Sequence, residues 1–244
     1  MKKHQKPLLF TCLSPALLNL YDVNSSIVVI IDVLRATSTI ATALANGAKN
    51  IVPVDSVAEC IRIGKQIAAI TAGERDGQIA EGLQYGNSPF EYPPEFIKGK
   101  TLVLTTTNGT RLLHMALEKS AKEIITGSFA NLDAVCNHIT SMGLPVILAC
   151  AAWKDKVNIE DTLFAGAVIA RVQEHFAVNC DASKIALSIY EEAQPDLYEY
   201  MAKKNASHYE RLSGFGLQKD IAYCLQPNTA NVLPKYKNGM LVVG

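Results

Sequence analysis

Asp32, Arg35 and the hydroxyls of Thr37, Ser38 and Thr39 fall within eight residues of one another. A guanidinium beside a carboxylate suits the chemistry of tetrahedral anions. The arginine clamps two oxygens at once, while the acid can hold a hard cation, move a proton or act as a nucleophile. The pairing recurs at Glu74-Arg75, set between Gly73 and Gly77. A third polar run, Thr105-Thr106-Thr107-Asn108-Gly109-Thr110, offers hydroxyls, an amide and a glycine that lets backbone approach a ligand. Glu160-Asp161 adds two more acids. Oxygen donors gathered without His/Cys clusters favour Mg2+ over zinc. Each residue also has a plainer reading: Asp161 suits a helix N-cap, a lone arginine a surface ion pair, and threonines ordinary strand positions. Asp32 is less suited to capping, because Thr37 or Ser38 already supplies a cap.

These residues need rigid elements to bring them together. Ile27-Val28-Val29-Ile30-Ile31 reads as a strand covered on both faces, and the hydroxyl run before Ile40-Ala41-Thr42-Ala43-Leu44 reads as a helix start. Asp32 is therefore placed at the carboxyl end of a parallel strand, the edge where open α/β sheets bind ligands, with a helix N-terminus adding free N–H groups. Laid without gaps over residues 30–54, residues 103–127 repeat the order strand, polar loop, helix, strand. Thr37/Thr110, Ala43/Ala116, Leu44/Leu117, Ala48/Ala121, Lys49/Lys122 and Ile51/Ile124 coincide. With or without a true duplication, this pattern predicts that both polar loops face one cleft.

Helices are further predicted over 57–70, 132–142 and 162–175, a loop over 71–77, a turn at Gly86-Asn87-Ser88-Pro89, and strands over 145–150 and 240–243. From about residue 181 the sequence turns to Tyr- and Glu-rich helices. Strands alternating with helices imply an α/β fold with a parallel or mixed sheet carrying helices on its faces. No Pro/Gly/Ser-rich linker interrupts the chain, so one domain is expected over 1–244, with halves at about 7–98 and 99–244 if it is built from two related βαβ units.

With 23 Lys and Arg against 23 Asp and Glu, the chain has no net charge and no basic patch, so nucleic-acid and membrane-surface roles lack an electrostatic footprint. The basic start, Met1 to Lys6, is followed by too few apolar residues before Pro15 for a signal peptide, and a cytoplasmic location is expected. Six single cysteines in apolar contexts read as reduced core residues; Cys150, at a strand end, is the one closest to the predicted site. His114, His138 and His175 fall on predicted helices as surface or core residues. Missing parts exclude several anion chemistries. Gly64-Lys65 has no upstream glycine and is followed by Gln66, Gly214-Phe215-Gly216 lacks a preceding strand, no cysteine has an arginine six positions on, and Leu34 stands where a second aspartate would follow Asp32 in an aspartyl-phosphate phosphatase.

Taken in order, VVIIDVLRATSTI, AGERDG, GNSP, TTTNGT, GSFAN and NIEDTLFAG closely resemble the 2-phosphosulfolactate phosphatase family, the ComB-like proteins of coenzyme M biosynthesis, with a weaker match through Asp220-Ile221-Ala222. The resemblance implies a three-layer α/β/α fold, a homodimer, and a Mg2+-dependent hydrolase that converts 2-phospho-3-sulfolactate to sulfolactate and phosphate. The expected catalytic residues are Asp32, Arg35, Glu74 and Arg75. Substrate is expected at Thr37, Asn87, Ser88, Thr106, Thr107, Asn108, Gly109 and Thr110, and the metal at Asp32, Glu74, Glu160 and Asp161. Arg35, nearest Asp32, is assigned to the phosphate, and Arg75 to the remote acid group. The chain departs from the family pattern at Gln84 and at Lys154-Asp155-Lys156. Two alternatives follow: a phosphatase for another small phosphorylated hydroxy acid, or a noncatalytic sensor of phosphate or sulfonate, which would need the clamp but not the acids.

Overall fold

The computed structural model describes residues 6–75, 77–106 and 108–244. The chain opens with β1 (Leu9–Cys12), a 3-10 turn and β2 (Ile27–Ile31), then α1 (Ala36–Ala45), β3 (Asn50–Val54), α2 (Val57–Ile67), β4 (Ile70–Arg75), β5 (Gln78–Ile79) and the short α3 (Pro94–Ile97). Next come β6 (Thr101–Thr105), α4 (Gly109–Glu118), β7 (Glu123–Gly127), α5 (Leu132–Met142), β8 (Val146–Cys150) and α6 (Ile159–Val172). Four helices, α7 (Asp181–Ala193), α8 (Leu197–Lys203), α9 (Ser207–Gly214) and α10 (Gln218–Cys224), precede the hairpin β9 (Pro234–Lys237) and β10 (Met240–Val243).

One mixed sheet runs in the order β1-β8-β2-β7-β9-β10-β3-β6-β4-β5. It holds two parallel sets, β1-β8-β2-β7 and β3-β6-β4, joined by the antiparallel hairpin. The hairpin meets β7 at Ile125 opposite Lys235, and β3 at Ile51 opposite Leu241. β2 lies between β7 and β8, so its five apolar residues are buried on both faces, as a continuous apolar run requires. Ile27, Val29 and Ile31 pack with α5, α6 and α7, whereas Val28 and Ile30 pack with Leu112, Leu113 and Ala116 of α4. Each such side chain contributes roughly 1.5–3 kcal/mol by leaving water. This double anchoring fixes the strand end that carries Asp32.

The repeat read in the sequence has a structural counterpart. α1 at 36–45 and α4 at 109–118, and β3 at 50–54 and β7 at 123–127, keep the same spacing. The two strands of a unit are not neighbours, however: β2 pairs with β7 and β8, and β3 pairs with β6. Each unit therefore sends one strand into each parallel set, and the stretches before and after residue 99 interleave.

Several boundaries differ from the sequence reading. Residues 71–75, expected in a loop, continue strand β4. Gly73 there is a strand glycine, because a Cβ would lie 2.5 Å from the Thr105 carbonyl oxygen of β6. α6 starts at Ile159 and ends at Val172, leaving His175 beyond it; Gly166 lets the Ala186 backbone of α7 sit directly against this helix. The predicted strand at 240–243 is present but sits inside the sheet, beside β9, whose Pro-Lys-Tyr-Lys composition gives a weak strand signal.

Candidate active site

The loop after β2 is closed by its own backbone and hydroxyls. The Thr37 amide donates to the Asp32 carbonyl at 2.9 Å, the Asp32 amide donates to Thr37 Oγ1 at 3.2 Å, and Ser38 Oγ donates to the Val33 carbonyl at 2.8 Å. The expected cap from Thr37 or Ser38 is thus absent: α1 has no capping side chain at Arg35, and the Ala36 amide bonds to Asp32 instead. Asp161, in the first turn of α6, accepts from the Val33 amide at 2.9 Å and the Ala152 amide at 3.3 Å. It staples the loop after β2 to the loop after β8, a structural use of the carboxylate that sequence spacing could not separate from metal binding. Burial, with Glu160 and Asp32 nearby, holds the Asp161 carboxyl well above the ordinary carboxylate range.

Asp32 keeps part of its surface open to a cleft of about 510 Å3. Its carboxyl is otherwise enclosed by protein. Burial pushes its pKa up to about 6, and Glu74 and Glu160 add to the rise. Gly109, at the start of α4, makes room for it, since a Cβ there would lie 3.0 Å from Asp32 Oδ2 and 3.3 Å from Thr106 Oγ1. Of the residues expected from sequence, Asp32, Arg35, Glu74, Asn87, Thr106 and Asn108 line this one cleft. Loops after β2, β4 and β6 therefore converge as the topology argument required. Asn87 Oδ1 and Thr106 Oγ1 are buried and lack a hydrogen-bond partner among the described residues. Buried polar atoms are almost always paired, so two unpaired ones on a cleft wall mark a place for a ligand.

Other expected residues are placed elsewhere. Arg75 does not line the cleft; its guanidinium donates to the Glu74 carbonyl at 2.6 Å and to Thr105 Oγ1 at 3.2 Å. Thr37 serves the turn, Ser88 accepts from the Phe90 amide at 3.3 Å, and the Thr110 hydroxyl donates to the Thr106 carbonyl at 2.8 Å. Thr107 lies outside the described residues. Cys150 is buried and apart from the cleft, and burial holds its thiol well above the usual range, which suppresses thiolate chemistry.

Sequence reasoning missed one wall of the cleft. Trp153 and Lys154 come from the loop after β8, and His208, Arg211 and Leu212 from α9. Glu160 Oε1 lies 2.5 Å from His208 Nδ1, and Arg211 Nη2 lies 2.6 Å from His208 Nε2. A guanidinium only donates, so Nε2 accepts and Nδ1 carries the imidazole proton toward Glu160. Arg35, which lines the cleft, also forms a buried ion pair with Asp220 of α10 at 2.5 Å. This wall was signalled in the sequence only by the departure from the family pattern at Lys154-Asp155-Lys156, the acid Glu160 and the weak match at Asp220-Ile221-Ala222.

The four acids expected to share a metal do not form a preassembled set. Among the described residues no three His, Cys, Asp or Glu side chains are arranged to hold an ion. Asp161 is committed to two amides, and Glu74 Oε2 accepts from the Gly77 amide at 2.9 Å. Asp32 and Glu160 still suit a hard cation. Glu160 Oε2 is buried without a described partner, and the negative charges around Asp32 crowd one another. One or two carboxylates with substrate phosphate oxygens are a common donor set for Mg2+.

A sheet-edge cleft with a buried acid, unpaired polar atoms and cations from three segments defines an α/β enzyme that acts on small anions. The profile of the 2-phosphosulpholactate phosphatase family matches residues 12–239, and the chain belongs to that family. It is 40% identical over 224 residues to a probable 2-phosphosulfolactate phosphatase of Caldanaerobacter subterraneus subsp. tengcongensis, covering 90% of this chain and 91% of the relative. It is 38% identical to the protein of that description from Thermotoga maritima (88% and 91% covered), and 37% identical to that from Clostridium acetobutylicum (90% and 93% covered). The protein is a phosphatase, a hydrolase of phosphoric monoesters. No helix among the described residues is long and apolar enough to cross a membrane.

Proposed function

We propose that this cleft hydrolyses 2-phospho-3-sulfolactate to 3-sulfolactate and orthophosphate. The observation that carries the reading is the buried Thr106 hydroxyl, which has no hydrogen-bond partner among the described residues and lies beside Asp32 at the start of α4. A phosphate seated there meets the Thr106 hydroxyl, Asn108 and the first amides of a ten-residue helix, whose dipole favours an anion. Arg35, held by Asp220, adds a fixed positive charge that stabilises the transferring phosphoryl group without having to reorient. Asp32 and Glu160 are the residues that would hold a divalent cation, which when bound would supply charge neutralisation at the phosphate and a more acidic water. Phosphomonoester hydrolysis is among the slowest uncatalysed reactions, with accelerations up to about 10²¹, which is why such charge neutralisation is needed.

Phosphate release from 2-phospho-3-sulfolactate and from a panel of phosphorylated hydroxy acids, with Mg2+ and with EDTA, tests the reading. Turnover that favours phosphosulfolactate and disappears on chelation is expected. Full turnover in chelated, metal-free protein rejects the cation. Preference for another acid favours the second reading, a phosphatase with an altered rim. Lys154, one of the residues that depart from the family pattern, lines the cleft, whereas Gln84 points its Oε1 at the Thr71 amide, 3.3 Å away.

A further inference from the structure

The positive charges of the cleft are unequally available. Arg35 is matched by Asp220. Arg211 and Lys154 form no ion pair with any carboxylate among the described residues; Arg211 Cζ lies 4.6 Å and Lys154 Nζ 4.5 Å from the centre of the Trp153 ring. We propose that Arg211 and Lys154, gathered on Trp153, form the subsite for the sulfonate of the substrate, the group that is not transferred. The proposal rests on the reading of the enzyme as a phosphosulfolactate phosphatase.

The construction of the subsite supports this assignment. Ala152, Lys154 and Asp155 adopt left-handed backbone, with φ of 57, 51 and 61°, which non-glycine residues reach only at a cost. Four ties hold the loop in that shape. Trp153 and Lys156 exchange backbone hydrogen bonds at 2.9 and 3.0 Å, Arg111 pairs with Asp155 at 2.9 Å, Ser14 Oγ donates to the Asp155 carbonyl at 2.9 Å, and Ala152 is tied to Asp161. On the facing helix, the chain from Glu160 through His208 fixes the Arg211 guanidinium; His208 is a positioning residue here. The wall beside the cations is apolar, formed by the indole and the buried side chains of Leu34 and Leu212. A sulfonate is a singly charged, weakly hydrated anion carried on a methylene. It suits a weakly hydrated guanidinium on an aromatic wall better than the dense donor set that a phosphate dianion needs.

Arg211→Ala, with Arg211→Lys and Lys154→Ala beside it, separates this proposal from the functional reading on which it rests. Loss of a charge-assisted hydrogen bond is expected to lower kcat/KM for phosphosulfolactate about ten- to hundredfold more than for 2-phospholactate, which lacks the sulfonate. The loss should fall mainly on KM. Arg211→Lys should recover part of it, and the exposed Lys154→Ala should show the same selectivity with a smaller ratio. Equal losses on both substrates from Arg211→Ala would overturn the subsite. Trp153 is the chain's one tryptophan, so titrating the protein with 3-sulfolactate while following its emission reads the subsite without turnover. A saturable change that weakens at least tenfold in Arg211→Ala supports the proposal, and no change in the wild type, or equal affinity in the variant, rejects it. If the wild type releases no phosphate from phosphosulfolactate, the functional reading fails, while the sulfolactate titration still decides the subsite.

Discussion

The floor of the cleft and its missed wall are held by different kinds of bond. On the floor, side-chain oxygens close on backbone amides: Asp161 on Val33 and Ala152, Thr37 on Asp32, Glu74 on Gly77. On the helical part of the wall, side chain holds side chain, from Glu160 to His208 to Arg211, and Arg35 of the floor is tied across to Asp220 in the same way. A group anchored to backbone moves only when its loop moves, whereas a chain of side chains can be altered one residue at a time without disturbing the sheet. On the proposed reading the floor carries the reaction, and the helical wall is where acceptance of one anion or another would be adjusted.

The contrast can be broken most forcefully where the two regions are tied together. Arg35 and Asp220 are both buried, so truncating either leaves an uncompensated charge. Arg35→Ala and Asp220→Ala should each lose about 3–5 kcal/mol in urea unfolding. Replacing both with apolar residues should cost much less than the two losses added together; additive losses would show that the pair is not acting as a unit.

On the floor itself, Asp32→Asn should cut turnover by at least about 10², the scale of a lost catalytic acid or base. Its effect on stability has the opposite sign. In the folded protein the Asp32 carboxyl is raised from 3.8 to about 6, so the folded state binds the proton more tightly than the unfolded chain. The stability it contributes is complete below pH 3.8 and is lost as pH rises through 6, by roughly 3 kcal/mol for a shift of this size. Metal-free protein should therefore melt progressively lower over this range, and the asparagine variant should lack this component. Mg2+ should flatten the wild-type dependence if the cation sits at Asp32. A variant that keeps its turnover and loses about 1 kcal/mol would instead make Asp32 a helix cap.

Gly109→Ala gives a smaller effect confined to the floor. Alanine at the start of α4 gains at most about 1 kcal/mol in helix propensity. Its Cβ, however, presses on Asp32 Oδ2 and Thr106 Oγ1 at 3.0 and 3.3 Å. A shift of a few tenths of an ångström should cost about tenfold in kcat, since a 1 Å misplacement costs about 10², with little change in the melt. Unchanged kcat would mean that these two oxygens need no fixed spacing.

The floor was legible in the sequence because strand ends announce themselves. The five apolar residues of β2, the acid after them and the hydroxyl run fix an edge, a loop and a helix start within a short window. The matching order at 101–127 places a second loop at the same cleft. The roles of individual oxygens were not legible. Asp161 and Glu160 are adjacent carboxylates, yet one staples two loops and the other supports His208. Spacing along a helix cannot show which acid meets an amide 128 residues away. The α9 part of the wall left no trace, because His208 and Arg211 stand in an ordinary amphipathic helix far along the chain, and only tertiary packing of α9 brings them to the loop after β8. The hairpin inside the sheet was obscured for a similar reason: its first strand is lysine-rich and short.

Arg75→Ala should have the smallest effect, and it sharpens the comparison most directly. By sequence, Arg75 is the natural partner of Arg35, an arginine beside an acid on a glycine-flanked loop. The structure turns its guanidinium onto the carbonyl of its own neighbour Glu74 and onto the buried Thr105 hydroxyl, so it belongs to the packing beneath the floor. Losing these neutral-acceptor bonds from a half-buried side chain should cost roughly 1 kcal/mol of stability. It should change kcat/KM by no more than about threefold, by the same factor for phosphosulfolactate and for 2-phospholactate. Arg211→Ala, measured beside it, should show the opposite pattern: little loss of stability and a large difference between substrates. If Arg75→Ala instead loses tenfold or more on phosphosulfolactate alone, the guanidinium must leave Glu74 and Thr105 when substrate binds. The sulfonate would then be read from the floor, and the division between a backbone-held floor and a side-chain-held wall would no longer separate reaction from recognition.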